Sequence, residues 1–389
     1  MPPSFRVTGG RPLSGTIRPA GNKNAALPIL AATLLADGPC RIDNVPRIRD
    51  VETMLALLQD VGAAVQWHGT NTVEIDTSRT EPKALDPALC KEIRASILLA
   101  GPMLARFGRV TLPPPGGDVI GRRRVDTHFL ALERLGADVS VGDAYKLEGK
   151  LKGTDIFLDE PSVTGTENAL MAAVRASGTT VLRNAASEPH VQDLARFLVS
   201  LGAAIDGVRG DDLRSTLLAF ERLGVRPRLD GAKLIVDADQ ERRIRPDLGG
   251  HVPKLEDGPW PAFPADLMSI AIVVATQCEG LLLVFEKLFE SRLFFVDKLI
   301  GMGARIVLCD PHRAVIAGPS ALRGQHVESP DIRAGMAMLL AALAAQGDSV
   351  IQNIGQIDRG YEHIDDRLRA LGAQIERNDG TMERGKGRP

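Results

Sequence analysis

The sequence predicts an α+β protein of two similar lobes, an inside-out α/β arrangement of repeated βαβαββ units in which sheets cover buried helices. Three features point to it. A helix that stops at [LVM]-G-[AV] recurs as LLQDVGAAV, ALERLGADV, FLVSLGAAI, AFERLGVRP, KLIGMGARI and RLRALGAQI, and self-similarity of this kind signals a repeat architecture. Five Ala-rich, almost wholly apolar helices run into a glycine and a strand, among them ENALMAAVRASGTTVLRNA and DLMSIAIVVATQCEGLLLV. A helix without a polar face belongs in an interior. Finally, 389 residues are enough for about two to three domains of roughly 150 residues each.

In each repeat the glycine is the left-handed residue that ends the helix, and the β-prone residues after it open a strand. Gly62, Gly136, Gly202, Gly224, Gly303 and Gly372 are separated by 74, 66, 22, 79 and 69 residues. Four of these intervals lie near 72, so the short one lacks about 50 residues. The deficit falls near Gly207 and Val208, where LGAAIDG runs directly into VRGDDLRSTLLAFERLG. There the third unit has no closing strand and the fourth no opening helix, so one unit boundary is truncated. The expected division is a first lobe over 23–207 carrying a loop at 111–128, a second lobe over 1–22 plus 208–376, and a polar tail over 377–389.

Composition narrows the function classes. The 47 Lys and Arg nearly balance the 49 Asp and Glu for a formal charge of -2, so no global field draws the chain to nucleic acid or anionic lipid. The opening MPPSFRVTGG has no charged-then-apolar leader. The longest small, apolar run, Ala334 to Ala345, has 12 residues where a membrane helix needs about 20. A cytosolic protein without a membrane partner is expected. Cys40, Cys90, Cys278 and Cys309 are too widely spaced for a metal site and read as reduced core thiols. The Walker loop, the GxGxxG fingerprint, HExxH and GxSxG are all absent from the sequence, which weakens the corresponding hydrolase and dehydrogenase readings.

Chemistry-bearing residues gather at element boundaries. GNKNAALPIL puts Lys23 and Asn24 at the start of an apolar helix, where unpaired N–H groups and the dipole favour an anion. A solvated lysine beside an Asn cap is the alternative. TLPPPGGDVIGRRRVDTH, Thr111 to His128, cannot be helical throughout. It is either a lid over a substrate or a solvated connector. Asp118 is its one carboxylate between Pro113 and Val125, and Arg122, Arg123 and Arg124 offer planar forks for phosphate. Asp266 sits where an apolar helix begins, the usual place for an N-cap. Glu290, Arg292, Asp331, Arg333 and Arg359 lie near other strand-to-helix boundaries. Each is a site residue or a surface ion pair of small energetic value.

Taken in order, GNKNAALPIL, KEIRASI, LPPPGGDVIGRRRVD, PWPAFPAD, FESR, PDIRAG and IDRGYEHIDDRLRALGA resemble the enolpyruvyl transferases, from about Phe5 to Glu376. The resemblance implies transfer of the enolpyruvyl group of phosphoenolpyruvate to the 3'-hydroxyl of UDP-N-acetylglucosamine, with release of phosphate and no metal or redox cofactor. It implies a substrate cleft between the lobes, and a place in peptidoglycan precursor synthesis. Lys23, Arg94, Arg123, Arg292, Arg333 and Arg359 match the cationic shell around phosphoenolpyruvate, joined by Asn24 and Asp331. Asn24, Arg94, Arg123, Asp126, Ser162, Val163, Asp266 and Leu288 match contacts to UDP-N-acetylglucosamine.

By the same resemblance, Asp266 accepts the proton of the attacking hydroxyl, and Asp331 and Glu290 support the arginines. Asp118 stands where most members carry a cysteine that protonates C3 and is alkylated by the epoxide fosfomycin. Thr164 and Leu98 depart from the residue types expected near the pyrophosphate and the sugar. Two further readings stay open: a noncatalytic UDP-sugar-binding paralogue damaged by the missing segment, and a 3-phosphoshikimate 1-carboxyvinyltransferase.

Overall fold

The structure, a computed structural model, describes residues 2–117, 124–206, 213–230 and 233–380. They form two compact units, one from residues 2–18 and 213–380 and the other from residues 19–117 and 124–206. Each has its own apolar core. The truncation assigned to Gly207 and Val208, and the end of the tail from 381, lie outside the described residues.

In the unit of residues 19–117 and 124–206, apolar helices occupy the interior and short sheets flank them. The Lys23–Ala32 helix buries Leu27, Leu30 and Ala31, and the Val163–Ala173 helix buries Ala169, Met171 and Ala172. Strands Cys40–Ile42, Val73–Asp76 and Ala64–Trp67 form one antiparallel sheet in that order. Arg109–Leu112, Tyr145–Gly149 and Ala137–Val141 form a second of the same plan. The segment RASILLAGPMLARF, another of the five apolar helices that the sequence predicts, is a 3-10 turn over Arg94–Leu99 followed by an α-helix over Ala100–Phe107. That helix lies so close to Val163–Ala173 that a Cβ at Gly101 would meet the Asn168 carbonyl oxygen at 2.5 Å.

The other unit repeats the plan with fuller sheets. Lys254–Glu256, Gly280–Phe285, Arg313–Gly318 and Ile306–Asp310 are neighbours in that order, the first pair parallel and the rest antiparallel. His326–Glu328, Asp348–Gln352, Ser4–Thr8 and Gln374–Asn378 form the second sheet. Its third strand therefore comes from the start of the chain. The helices Ala265–Thr276 and Ile332–Ala344 lie beneath, most of their residues buried. Among the described residues, no helix is long and apolar enough to cross a membrane.

The repeat glycines behave as their spacing predicts: φ is +101° at Gly62 and +103° at Gly303, a conformation that costs glycine little and other residues more. On either side of the undescribed residues 207–212, the described elements are fewer than in the other repeats. Helix Pro189–Ser200 is followed by no strand through residue 206. The next repeat is reduced to helix Arg214–Arg222 and the pair Arg228–Asp230 with Lys233–Ile235, a two-stranded sheet with Leu229 and Leu234 exposed. The thiol expectation needs correction. Cys90 and Cys278 are buried, but Cys40 is half-buried and Cys309 exposed. Cys309 lies on the outward side of Ile306–Asp310, a strand whose burial alternates with period two.

Candidate active site

The predicted site residues divide between the two units. In the unit of residues 213–380, Asp266 lies in the first turn of Ala265–Thr276, where a negative charge suits the helix dipole. It is not the N-cap its position in the sequence suggests. Pro264 holds that place with no side-chain hydrogen bond, and Asp266 is already helical. Its carboxylate is engaged elsewhere: Oδ2 accepts from Nη2 of Arg333 at 2.5 Å and Oδ1 from Nη1 of Arg292 at 3.3 Å. Arg292 is buried and also donates to the Ala265 carbonyl at 2.9 Å, its guanidinium 4.4 Å from the Phe289 ring.

Arg333 stands one position inside Ile332–Ala344, and Asp331 is the N-cap, accepting from the backbone N–H groups of Arg333 and Ala334 at 2.7 and 2.9 Å. Asp331 thus orients the segment that carries the arginine. Burial pulls the Arg333 pKa down, but Asp266 and the Tyr361 hydroxyl, 3.3 Å from Nη1, outweigh it and the net shift is upward. The guanidinium is a permanent cation. Arg359 is buried and donates to Gln356 Oε1 at 2.9 Å. Glu290 and Leu288 are exposed in the segment after Gly280–Phe285.

In the other unit Asn22 caps Lys23–Ala32, its side chain accepting from the Asn24 and Ala25 N–H groups. Lys23 is not the solvated lysine of the bland reading: its side chain is 15% exposed and Nζ lies 3.0 Å from the buried Asp50 carboxylate. Arg94 opens the 3-10 turn and donates to the Arg124 carbonyl at 3.0 Å. Ser162 caps Val163–Ala173 through the Gly165 N–H, with Val163 the first helical residue. Asp126 begins the Asp126–Arg134 helix and accepts from Nε of Arg124, which also reaches Asp159 at 2.7 Å. A cavity of about 550 Å³ opens beside Arg124, Asp126 and Asp159, a volume in the range of small-ligand sites. Leu98 lies in the core. Asp118, Arg122 and Arg123 lie outside the described residues.

One residue that sequence reasoning missed is His128, buried to 1% exposure. Its Nδ1 lies 2.8 Å from Nδ2 of Asn168 and its Nε2 3.0 Å from the Thr164 hydroxyl. An amide nitrogen only donates, so the proton is assigned to Nε2, which donates to Thr164. Burial and then the Arg94 charge push the imidazole down to about 3, leaving it neutral at ordinary pH. Thr164, which departs from the expected residue type, is thereby the acceptor that fixes this ring. Asn168 also accepts from the Gly101 N–H at 2.7 Å and donates to the Ile97 carbonyl at 2.9 Å, tying the turn that begins with Arg94.

The start of the glycine-rich loop is strapped to the helix Pro87–Glu92 that precedes this turn. Gly116 N–H donates to the Cys90 carbonyl at 3.0 Å, and a Cβ at Gly116 would sit 1.8 Å from the Lys91 carbonyl oxygen. Replacing Gly116 by alanine should therefore force the strands of chain apart and destabilise this unit by about 1–3 kcal/mol, the usual cost of overpacking. Denaturant unfolding measures it, and an unchanged midpoint would contradict the tight approach.

The family model for EPSP synthase (3-phosphoshikimate 1-carboxyvinyltransferase) matches residues 7–216 and 221–368, nearly the whole chain. The chain belongs to this family of enolpyruvyl transferases. It is 58% identical to the UDP-N-acetylglucosamine 1-carboxyvinyltransferase of Bradyrhizobium diazoefficiens over 423 aligned residues, covering 97% of this chain and 98% of the relative. The enzymes of the same name from Treponema denticola and Bacteroides thetaiotaomicron are 48% and 41% identical, covering 96% of this chain and 98% and 99% of theirs.

As 97% of 389 residues is about 377, about 46 of the 423 positions aligned with the Bradyrhizobium enzyme have no counterpart here. The total is close to the deficit that the repeat spacing predicts. Among solved structures the fold is similar to the enolpyruvyl transferase NikO from Streptomyces tendae, with TM-score 0.84, 23% identity, and 97% and 99% of the two chains covered. It is also similar to the EPSP synthase of Acinetobacter baumannii, with TM-score 0.68, 16% identity, and 97% and 100% covered. The architecture is thus the α+β enolpyruvyl transferase fold.

Proposed function

We propose that the chain transfers the enolpyruvyl group from phosphoenolpyruvate to the 3'-hydroxyl of UDP-N-acetylglucosamine and releases phosphate, as a step in peptidoglycan precursor synthesis. The observation that carries the acceptor is 58% identity, over nearly the full length of both chains, to an enzyme named for that substrate. Relatives with 41–48% identity bear the same name, which disfavours both shikimate 3-phosphate as acceptor and a binding protein without turnover.

The chain's own groups suit the two steps. In the addition, the 3'-oxygen bonds to C2 of phosphoenolpyruvate, Asp266 takes the hydroxyl proton, and Asp118 supplies a proton to C3. In the elimination, C3 returns a proton to the Asp118 carboxylate, the bond from C2 to the phosphate oxygen breaks, and inorganic phosphate leaves with the proton that Asp266 had taken. Arg292 and Arg333 both donate to the Asp266 carboxylate. With Lys23, Arg94, Arg123 and Arg359 they supply the positive charge that two anionic substrate groups require as charge shifts at C2. Asn24, Asp126, Ser162, Val163 and Leu288 are assigned to the nucleotide sugar.

Phosphate release tests the reading. Phosphoenolpyruvate with UDP-N-acetylglucosamine should yield one phosphate per enolpyruvyl ether formed, and phosphoenolpyruvate with shikimate 3-phosphate should yield none. Release with the second acceptor alone would reverse the assignment. Binding of the nucleotide sugar, seen as a raised unfolding temperature, without any phosphate release would favour a noncatalytic role.

A further inference from the structure

Two buried acids behind Asp266 have no part in the steps above. Asp257 follows strand Lys254–Glu256, and Glu286 follows Gly280–Phe285. These strands are parallel, with Glu256 opposite Phe285, so the next residue of each emerges at the same end of the sheet. Glu286 is 0% exposed and Asp257 1%. Asp257 Oδ1 accepts the Lys287 N–H at 2.5 Å. Its Oδ2 and both Glu286 carboxyl oxygens have no donor among the described residues.

An ionised carboxylate only accepts, so two of them side by side leave buried lone pairs unmet and like charges opposed. A single proton resolves both difficulties, because one carboxyl then donates to the other. The charged groups around Glu286 are few. Asp257 meets it from the neighbouring strand, Asp266 from the Ala265–Thr276 helix, and Arg292 from the segment that follows it. His312, in the turn before Arg313–Gly318, places Nδ1 2.7 Å from the Glu286 backbone carbonyl rather than against the carboxyl. Lys254 and Lys287 are drawn to Glu256 instead. Burial, then the neighbouring Asp257 carboxylate, push the Glu286 carboxyl up to about 9, against a smaller pull from Arg292.

We propose that Asp257 and Glu286 hold one proton between them, and that this proton keeps Arg292 on Asp266. The second half rests on the role given to Asp266 above. With the proton present the pair carries one negative charge. Without it, a second charge competes with Asp266 for the same guanidinium, and the carboxylate that receives the hydroxyl proton loses its anchor. The pair is therefore a positioning element that acts through Arg292.

Infrared spectroscopy of the full chain reads the proton directly. At neutral pH a carbonyl band of a protonated carboxyl is expected in the difference spectrum of the unsubstituted chain minus Glu286→Gln, which keeps the size of the side chain and a donor, while any band from the buried Glu167 cancels. In Asp257→Asn the removed charge should let Glu286 ionise at lower pH, so the band should fade earlier as pH rises. Turnover reads the positioning. The ratio of kcat at about pH 9.5 to kcat at about pH 7 should be about threefold or more higher in Glu286→Gln, because only the unsubstituted pair loses its proton over that interval.

A band missing at neutral pH, or left in place by Glu286→Gln, overturns the shared proton. Loss of the band with an unaltered kcat ratio overturns the positioning role. Should the unsubstituted chain show no turnover at all, the functional reading and the positioning role both fall, while the band still decides the pair.

Discussion

Replacing Asp266 by asparagine should lower kcat by about two to four orders of magnitude, the range typical for removal of a general base. The geometry makes the form of the loss specific. Asp266 neutralises Arg333 and Arg292 at 2.5 and 3.3 Å, so the amide leaves two buried or half-buried cations short of an anion. Phosphoenolpyruvate is itself an anion and compensates them when it binds. Its KM should therefore stay level or fall while kcat collapses. A tenfold or smaller change in kcat, or a KM that rises in step with the loss, would remove Asp266 from the chemistry.

The second large effect concerns Asp118. Asparagine there should abolish proton delivery to C3 and cost about 10²–10⁴ in kcat, whereas cysteine should restore turnover and bring with it alkylation by fosfomycin. The unsubstituted chain should resist this reagent because its four thiols are poor targets in known ways. Burial pushes Cys90 and Cys278 up to about 11, and desolvation also raises Cys40. Cys309 is exposed but is placed in no substrate contact. Intact-mass measurement should find one adduct on Asp118→Cys and none on the parent. An adduct on the parent at catalytic concentrations of reagent would contradict the assignment.

The sequence made the repeats legible because glycine in the left-handed region is a local requirement, met at Gly62 and Gly303 with φ near +100°. It also marked the truncated boundary, since a missing segment alters a spacing. Asp266 was legible as a position, and the resemblance gave it a role, but its ion pairs were not legible. Its partners are 26 and 67 residues away, and nothing in PWPAFPAD distinguishes a capping carboxylate from a paired one. His128 gave no signal at all, because the groups that fix its ring, Thr164 and Asn168, belong to another helix. Asp257 and Glu286 meet only through the register of two parallel strands, and short strands leave register invisible in a single sequence. What could be read was set by neighbours in the chain; what could not was set by neighbours across it.

Strand Ser4–Thr8 is made before the other described elements and is bonded on both sides by strands about 340 to 370 residues later, with Thr8 reaching Asp348 across 340 residues. At a synthesis rate of about 5–20 residues per second, it waits on the order of 20–70 s for its partners. During that time Phe5 and Val7, which end wholly buried, must stay wet or shielded by a chaperone. The core of residues 26–198 needs nothing from the later chain and can condense on the ribosome meanwhile. Assembly of the protein is thus ordered in time, with its opening residues locked in last.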